Sequence, residues 1–336
     1  MKRLQKYLMS KTVLCVALLA GCGGGGGGGG SAGTGTVTVS VTDAPIDESA
    51  ISAVCIAFNR VTVHHTSGGA ISIPYNPSPP QVTNVTHCMD SEVWDGVSPV
   101  PPVRLDALGG PVTVALAESI QVPEGRITWI RLHLIPGESF IENDVGAQHN
   151  LVCPSCEPTD NNQERGFKLN RTFEVLADDH IAMMVDVDLR KSLTRQGGSG
   201  TYVLRPTARI ESDENLGTLA GEVDESVIIG LSGTTYNGSD IDTGCAAYIY
   251  EDQDVIPDDY YMGSPLISTA GLKYDTVLGT YRYAAGALLG GTAAIPQPYT
   301  VALTCDTDDP EINEDLTFTP GQNADVVAGE TWTTNF

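Results

Sequence analysis

Residues 126–135 read RITWIRLHLI, and this run decides the fold class. In an extended chain successive side chains alternate between two faces. Ile130, Leu132 and Leu134 then share one face, while Trp129, Arg131 and His133 share the other. That is a strand with one side against a core and one polar side. The same period marks residues 36–42, where Val37, Val39 and Val41 alternate with Thr38, Ser40 and Thr42. Val54, Ile56 and Phe58 repeat it, and Val61 and Val63 continue it up to a Ser-Gly-Gly turn at 67–69. Ile181, Met183, Val185, Val187 and Leu189 form another core face, which sets Asp186 and Asp188 together on the outside. Residues 202–210 read as the last strand of this part.

Ser212-Asp213-Glu214-Asn215 breaks the pattern, and a second series of short strands follows at 219–223, 246–250, 281–283, 299–304 and 326–329. Short strands punctuated by glycine and proline predict an all-β chain of two tandem β-sandwich modules, 36–212 and 217–336.

The N-terminus reads as an address. Lys2, Arg3, Lys6 and Lys11 precede an apolar run at 13–20. Eight apolar residues are too few to span a bilayer, which takes about 20 in a helix, but they suit a secretory signal. The run ends in Leu19-Ala20-Gly21-Cys22, which resembles the lipobox of bacterial lipoproteins. The resemblance implies a signal peptide over 1–21, cleavage before Cys22 and lipid on that cysteine, so that the membrane is a partner through the anchor. Eight glycines at 23–30 begin a flexible tether over 22–35, with a reach of roughly 20 Å. Gly23 rather than aspartate follows the cysteine. By similarity to Gram-negative lipoproteins this implies the outer membrane, on its periplasmic or its cell-surface face.

The 336 residues hold 18 Lys+Arg and 42 Asp+Glu. Residues 1–21 carry four of the basic residues and no acid, so the remainder has 14 against 42, a formal charge of −28. Such a charge repels nucleic acid and anionic headgroups and argues against both as partners. Cys55, Cys88, Cys153, Cys156, Cys245 and Cys305 remain beyond Cys22, an even count that suits disulfides in an exported chain. Fifteen connectivities are open. If each module closes its own bridges, Cys245 pairs with Cys305; the close spacing of Cys153 and Cys156 favours that pair and leaves Cys55 with Cys88.

Several constellations carry possible chemistry. Cys153-Pro154-Ser155-Cys156 has redox spacing but sits among prolines and asparagines rather than at a helix N-terminus, so a structural disulfide is expected. His64 and His65 point to opposite faces of a strand; His87 adjoins Cys88 and His149 precedes Cys153. Asp186 and Asp188 face Arg205 and Arg209 if their strands are neighbours, which reads as ion pairing. Six acids lie within 306–315, with Asp306, Asp308 and Asp309 as candidate calcium ligands, and five more lie within 251–259. A Cys245–Cys305 bridge would bring these loops together, although Pro310 stands where an EF-hand needs an oxygen ligand. No nucleophile elbow, Walker A loop or dinucleotide fingerprint follows a strand.

Two resemblances complete the reading. Thr36-Val37-Thr38-Val39-Ser40-Val41-Thr42-Asp43-Ala44-Pro45, Arg104-Leu105-Asp106-Ala107-Leu108 and Val122-Pro123-Glu124-Gly125-Arg126 occur in that order, followed by Ile130-Arg131-Leu132 and Gly166-Phe167-Lys168-Leu169. Asp186-Val187-Asp188-Leu189-Arg190-Lys191-Ser192 and Leu204-Arg205-Pro206 close the series. Together they resemble the bacterial lipoprotein family catalogued as domain of unknown function 4382. The second module, through 217–223, Ala247-Tyr248-Ile249-Tyr250, 299–303 and Val327-Ala328-Gly329-Glu330-Thr331, is similar to transthyretin-like sandwiches of the carboxypeptidase regulatory-like and carbohydrate-binding-like kind. That resemblance implies an accessory module. The expectation is a non-catalytic envelope lipoprotein without a cofactor, binding or scaffolding through polysaccharide or another envelope protein. The alternatives are a metal-dependent hydrolase with a loop-built carboxylate site, such as Asp186 and Asp188, and a calcium-stabilised adhesion module.

Overall fold

A computed structural model describes residues 33–44, 51–74, 103–104, 113–143, 145–158, 164–196, 200–234, 242–261, 264–306, 308 and 313–336. The signal peptide, Cys22, His87, Cys88 and Asp309 lie outside these residues. The chain starts with β1 (Thr34–Ala44), β2 (Ile51–Ile56), β3 (Phe58–His65), β4 (Gly69–Pro74) and β5 (Val103–Arg104). Next come β6 (Val114–Pro123), β7 (Gly125–Leu134), β8 (Phe140–Asn143), β9 (Gln148–Val152), β10 (Phe167–Val175) and β11 (His180–Asp188). A single helical turn, α1 (Leu189–Ser192), leads into β12 (Leu193–Gln196), β13 (Thr201–Leu204) and β14 (Ala208–Ser212).

These strands make three sheets. Sheet one runs β14-β11-β1-β6, with β1 and β11 parallel. Sheet two runs β10-β7-β3-β4 and is antiparallel throughout. Sheet three runs β12-β13-β9-β8-β2-β5. The alternating valines of β1, with Val185 and Val187 of β11, meet Val61, Val63, Ile130 and Leu132 of sheet two in one core. Val54, Ile141 and Leu151 of sheet three join it. Each such side chain, fully withdrawn from water, contributes about 1.5–3 kcal/mol before chain entropy is charged against it.

The second half supplies β15 (Leu216–Val223), the helix α2 (Glu225–Ser232), β16 (Asp242–Glu251), β17 (Leu266–Asp275) and β18 (Thr280–Leu289). It ends with β19 (Gln297–Thr304), β20 (Gln322–Val326) and β21 (Thr331–Thr333). All seven strands hydrogen-bond as one sheet in the order β20-β19-β16-β17-β18-β15-β21. The sheet curls until β20 touches β15 and β21. Gly217 permits that approach, since a Cβ there would stand 2.5 Å from the Val327 carbonyl oxygen. One face encloses Leu219, Ile249, Tyr283, Val301 and Val326; the other packs Tyr248 and Tyr250 under Val255, Tyr260 and Phe318.

Residues 32–336 form one compact unit holding these cores. The halves meet over the outer face of sheet one, where β1 touches β17. There the Lys191 ammonium donates to the Leu266 carbonyl at 3.1 Å and lies 4.6 Å from the Tyr260 ring centre.

Candidate functional site

The outer face of sheet two gathers positive charge. Lys168, Arg131 and Thr62 pair in one row across β10, β7 and β3, and Asn170, Trp129 and His64 pair in the next. A bulge sets His64 and His65 against Trp129 and Ile127. The bulge breaks the alternation, so Ile127 and Ile130 are both buried while Thr128 and Trp129 stand between them, half-buried. The Trp129 ring stacks on His64 at 4.8 Å between centres, with 17° between planes. Arg131 Cζ lies 4.8 Å and Lys168 Nζ 4.7 Å from the same indole centre. A cation over an indole gains about 0.5–1 kcal/mol when exposed, so Trp129 acts as a shelf that holds two cations in place.

The neighbouring groups fix this arrangement. His64 Nδ1 is 3.0 Å from the Thr128 hydroxyl. Arg131 donates to the Glu164 carbonyl at 2.7 Å, beneath a loop that crosses its side chain. Gly166 lets the loop pass: a Cβ there would stand 2.7 Å from Arg131 Cγ and 2.6 Å from the Leu132 carbonyl. His133 is buried; its Nδ1–H donates to the Arg165 carbonyl at 2.9 Å, so Nε2, 2.8 Å away, accepts from the Thr62 hydroxyl. Burial first, then the nearby Arg60 guanidinium, holds His133 below the ordinary imidazole pKa. Arg60 pairs with Glu164 at 3.2 Å. Neither Arg131 nor Lys168 is ion-paired among the described residues.

The opposite outer face, on sheet one, has a different fate. Asp186 and Asp188 do not stand outside: Asp186 is only 7 % exposed, because the second half of the chain covers this face. Arg209 Nε donates to Asp186 Oδ2 at 2.7 Å, and its terminal nitrogen is 2.6 Å from the same oxygen. Burial raises the Asp186 pKa, and the guanidinium opposes only part of that rise. Asp188 pairs with Lys191 at 3.0 Å and caps α1 through the Lys191 N–H. Arg205 takes no part, because the strand read at 202–210 is two strands, β13 and β14. Pro206 has no N–H for a ladder, and the Arg205 and Thr207 amides turn to the Ser192 carbonyl and hydroxyl.

The family described as "Domain of unknown function (DUF4382)" matches residues 34–206, just over half of the chain. The chain belongs to this family. The DUF4382 match contains the whole cation-bearing face but stops short of β14, so Arg209, the partner of Asp186, lies beyond it. No curated protein matches the chain. A solved structure from Bacteroides ovatus, described as a "putative adhesin", is 9% identical, over 92% of this chain and 88% of that one. Its TM-score is 0.20, and at that value the likeness carries no argument.

Beyond the DUF4382 match, the acidic loops do meet, although not for the reason the disulfide suggested. Cys245 and Cys305 are bonded, but β16 and β19 run antiparallel, so the two loops leave from opposite ends. They converge by crossing the tyrosine face of the sheet. Asp308 accepts from the Tyr248 hydroxyl at 3.0 Å and the Tyr260 N–H at 2.9 Å. Asp259, 1 % exposed, accepts from the Glu314 N–H at 2.5 Å, and Asp306 from the Thr317 N–H at 2.6 Å. These carboxylates tie loops down through amides and a phenol. Among the described residues no group of three or more His, Cys, Asp or Glu is placed to hold a metal ion.

Among the described residues, Cys55, Cys153, Cys156, His65 and His149 serve packing. Cys153 and Cys156 form a buried disulfide inside the first core, and Cys55 is also disulfide-bonded. His65 is fully buried and accepts the Ser67 and Gly68 amides at the β3–β4 turn. His149 sits edge-on to Tyr202 and bonds the Gly200 carbonyl. The sequence places Trp129, Arg131 and His133 on one strand face, but joins neither His64 nor Lys168 to it. The signal was the Phe167-Lys168-Leu169 alternation, which puts Lys168 outside; the pairing of β10 with β7 was not visible.

Proposed function

We propose that this chain is an exported lipoprotein, held to the outer membrane by lipid on Cys22, that binds or scaffolds in the cell envelope through the outer face of sheet two. One observation carries the reading: a chain with 42 acidic and 18 basic residues sets two cations with no carboxylate partner among the described residues on one exposed sheet face. Charge placed against such a background serves recognition better than stability, since exposed charges contribute little to folding. The glycine-rich composition of 22–35 supports the reading, because such sequences are commonly used to separate a domain from its anchor. The C-terminal module, by its resemblance to accessory sandwiches, is the supporting member, and 36–212 and 217–336 are the working halves. A hydrolase built on Asp186 and Asp188 is disfavoured, because Arg209 and Lys191 already hold both carboxylates.

Two comparisons in a Gram-negative host test this. Wild type should fractionate with the outer membrane and Cys22→Ser should not; identical distributions would remove the anchor. Purified envelope polysaccharide and envelope proteins should retain the wild-type chain more strongly than an Arg131→Gln/Lys168→Gln variant. Equal retention would remove the face.

A further inference from the structure

We infer that the partner of this face is an acidic polysaccharide, a glycan bearing carboxylate or sulfate groups, and not a neutral sugar chain. The inference rests on the binding reading above and narrows its ligand.

Neutral sugars are commonly held by stacking a pyranose on an open aromatic face. Trp129 offers none, with an imidazole stacked on it and two cations over it. The ring positions charge instead of presenting itself. Lys168 is exposed, and the Arg131 guanidinium has five donors, of which the Glu164 carbonyl takes one. A guanidinium fork and an ammonium side by side suit carboxylate and sulfate oxygens. Around them stand Asn170 and Ser72, both exposed, and the half-exposed His64, which can bond hydroxyls. The outward residues of these rows include no Asp or Glu.

An acidic protein partner fits less well. Protein interfaces centre on a desolvated patch of aromatic and aliphatic side chains, and among the described residues this face exposes no such centre, Trp129 being covered. Nucleic acid fits worst, because its dense phosphate charge would meet the field of the whole acidic chain. A glycan with sparser charges can place one against Arg131 and Lys168 while the distant acids are screened beyond a Debye length of about 8 Å at physiological salt.

The test is retention of the full-length chain, in detergent, on immobilised polygalacturonate, chondroitin sulfate, dextran and polyglutamate at about 0.15 M salt. Binding to one or both acidic glycans but not to dextran is expected. It should weaken about tenfold in Arg131→Gln/Lys168→Gln and disappear near 1 M salt, where the Debye length is about 3 Å. Equal binding to dextran, lost in the variant, would overturn the acidic ligand and leave the binding face standing. Polyglutamate held as tightly as the glycans would overturn the glycan class. Binding to an acidic glycan that the variant leaves unchanged would overturn this inference and the binding face together. Failure to bind either acidic glycan would overturn the inference alone, since retention by envelope fractions reports on the face independently.

Discussion

Two outer faces of the same sandwich carry charge and use it in opposite ways. On sheet one, Asp186 and Asp188 lie beneath the second half of the chain, held by Arg209 and Lys191. On sheet two, Arg131 and Lys168 lie over Trp129 with no carboxylate partner among the described residues. Covered charges must be neutralised by a partner, because desolvating an ion costs several kcal/mol. Open charges meet no such demand, so what they touch is left to a ligand. The contrast separates charge that joins the two halves from charge available for recognition, and both faces can be perturbed independently.

The largest effect is expected on the covered face. Arg209→Met leaves the Asp186 carboxylate buried without its cation and should lower unfolding free energy at neutral pH by about 3 kcal/mol in denaturant titration. Asp186→Leu/Arg209→Met removes both charges and should recover most of that loss. If the double variant is as weak as the single one, the pair is not the reason for the loss. The pH dependence has a definite sign. Because the folded Asp186 pKa is raised above the ordinary 3.8, its contribution to stability is fullest below that value and declines as pH rises through the folded pKa. The Arg209→Met deficit should therefore shrink in acid.

Lys191→Met is the next test. It removes the Asp188 pair, the donation to Leu266 and the cation over Tyr260. A loss of about 1–2 kcal/mol is expected, with faster proteolysis between the two halves. Unchanged cleavage would mean that this contact does not hold them together.

The open face should respond to pH the other way. His133 titrates below its ordinary 6.5, so its contribution is present above that value and fades as pH falls through the lowered folded pKa. His133→Gln should flatten that part of the stability profile, seen as a smaller drop in unfolding midpoint between neutral and mildly acidic buffer. An unaltered profile would place the acid sensitivity elsewhere. The smallest stability effect, within about 0.5 kcal/mol, is expected for Arg131→Gln/Lys168→Gln, because neither group is buried in a pair.

Much of this arrangement was legible in the sequence, and the exceptions share a cause. The alternation in 126–135 correctly puts Trp129, Arg131 and His133 on the face opposite Ile130, Leu132 and Leu134, because a strand face is a local property; that the Arg165 loop buries His133 is not local. The burial of Asp186 is not local: it depends on the second half docking on β1 and β11, which no periodicity reports. The alternation across 202–210 reads as one strand, but Pro206, with no N–H for a ladder, divides it into β13 and β14. The helix α2 went unread, although Asp224 caps it through the Ser226 N–H. Its eight residues carry too short an apolar pattern to stand out. The acidic loops were expected to converge through Cys245 and Cys305. They converge instead through buried tyrosines, whose placement depends on the register of β16 with β19.

The difference between the faces is tested most directly by titrating polygalacturonate into wild type and Arg131→Gln/Lys168→Gln at about 0.15 M salt, with the unfolding midpoint taken on the same samples. Unchanged midpoints and an affinity about tenfold weaker in the variant are expected. Equal affinity at equal midpoint would contradict that difference, and the open face would then be no more than a solvated one.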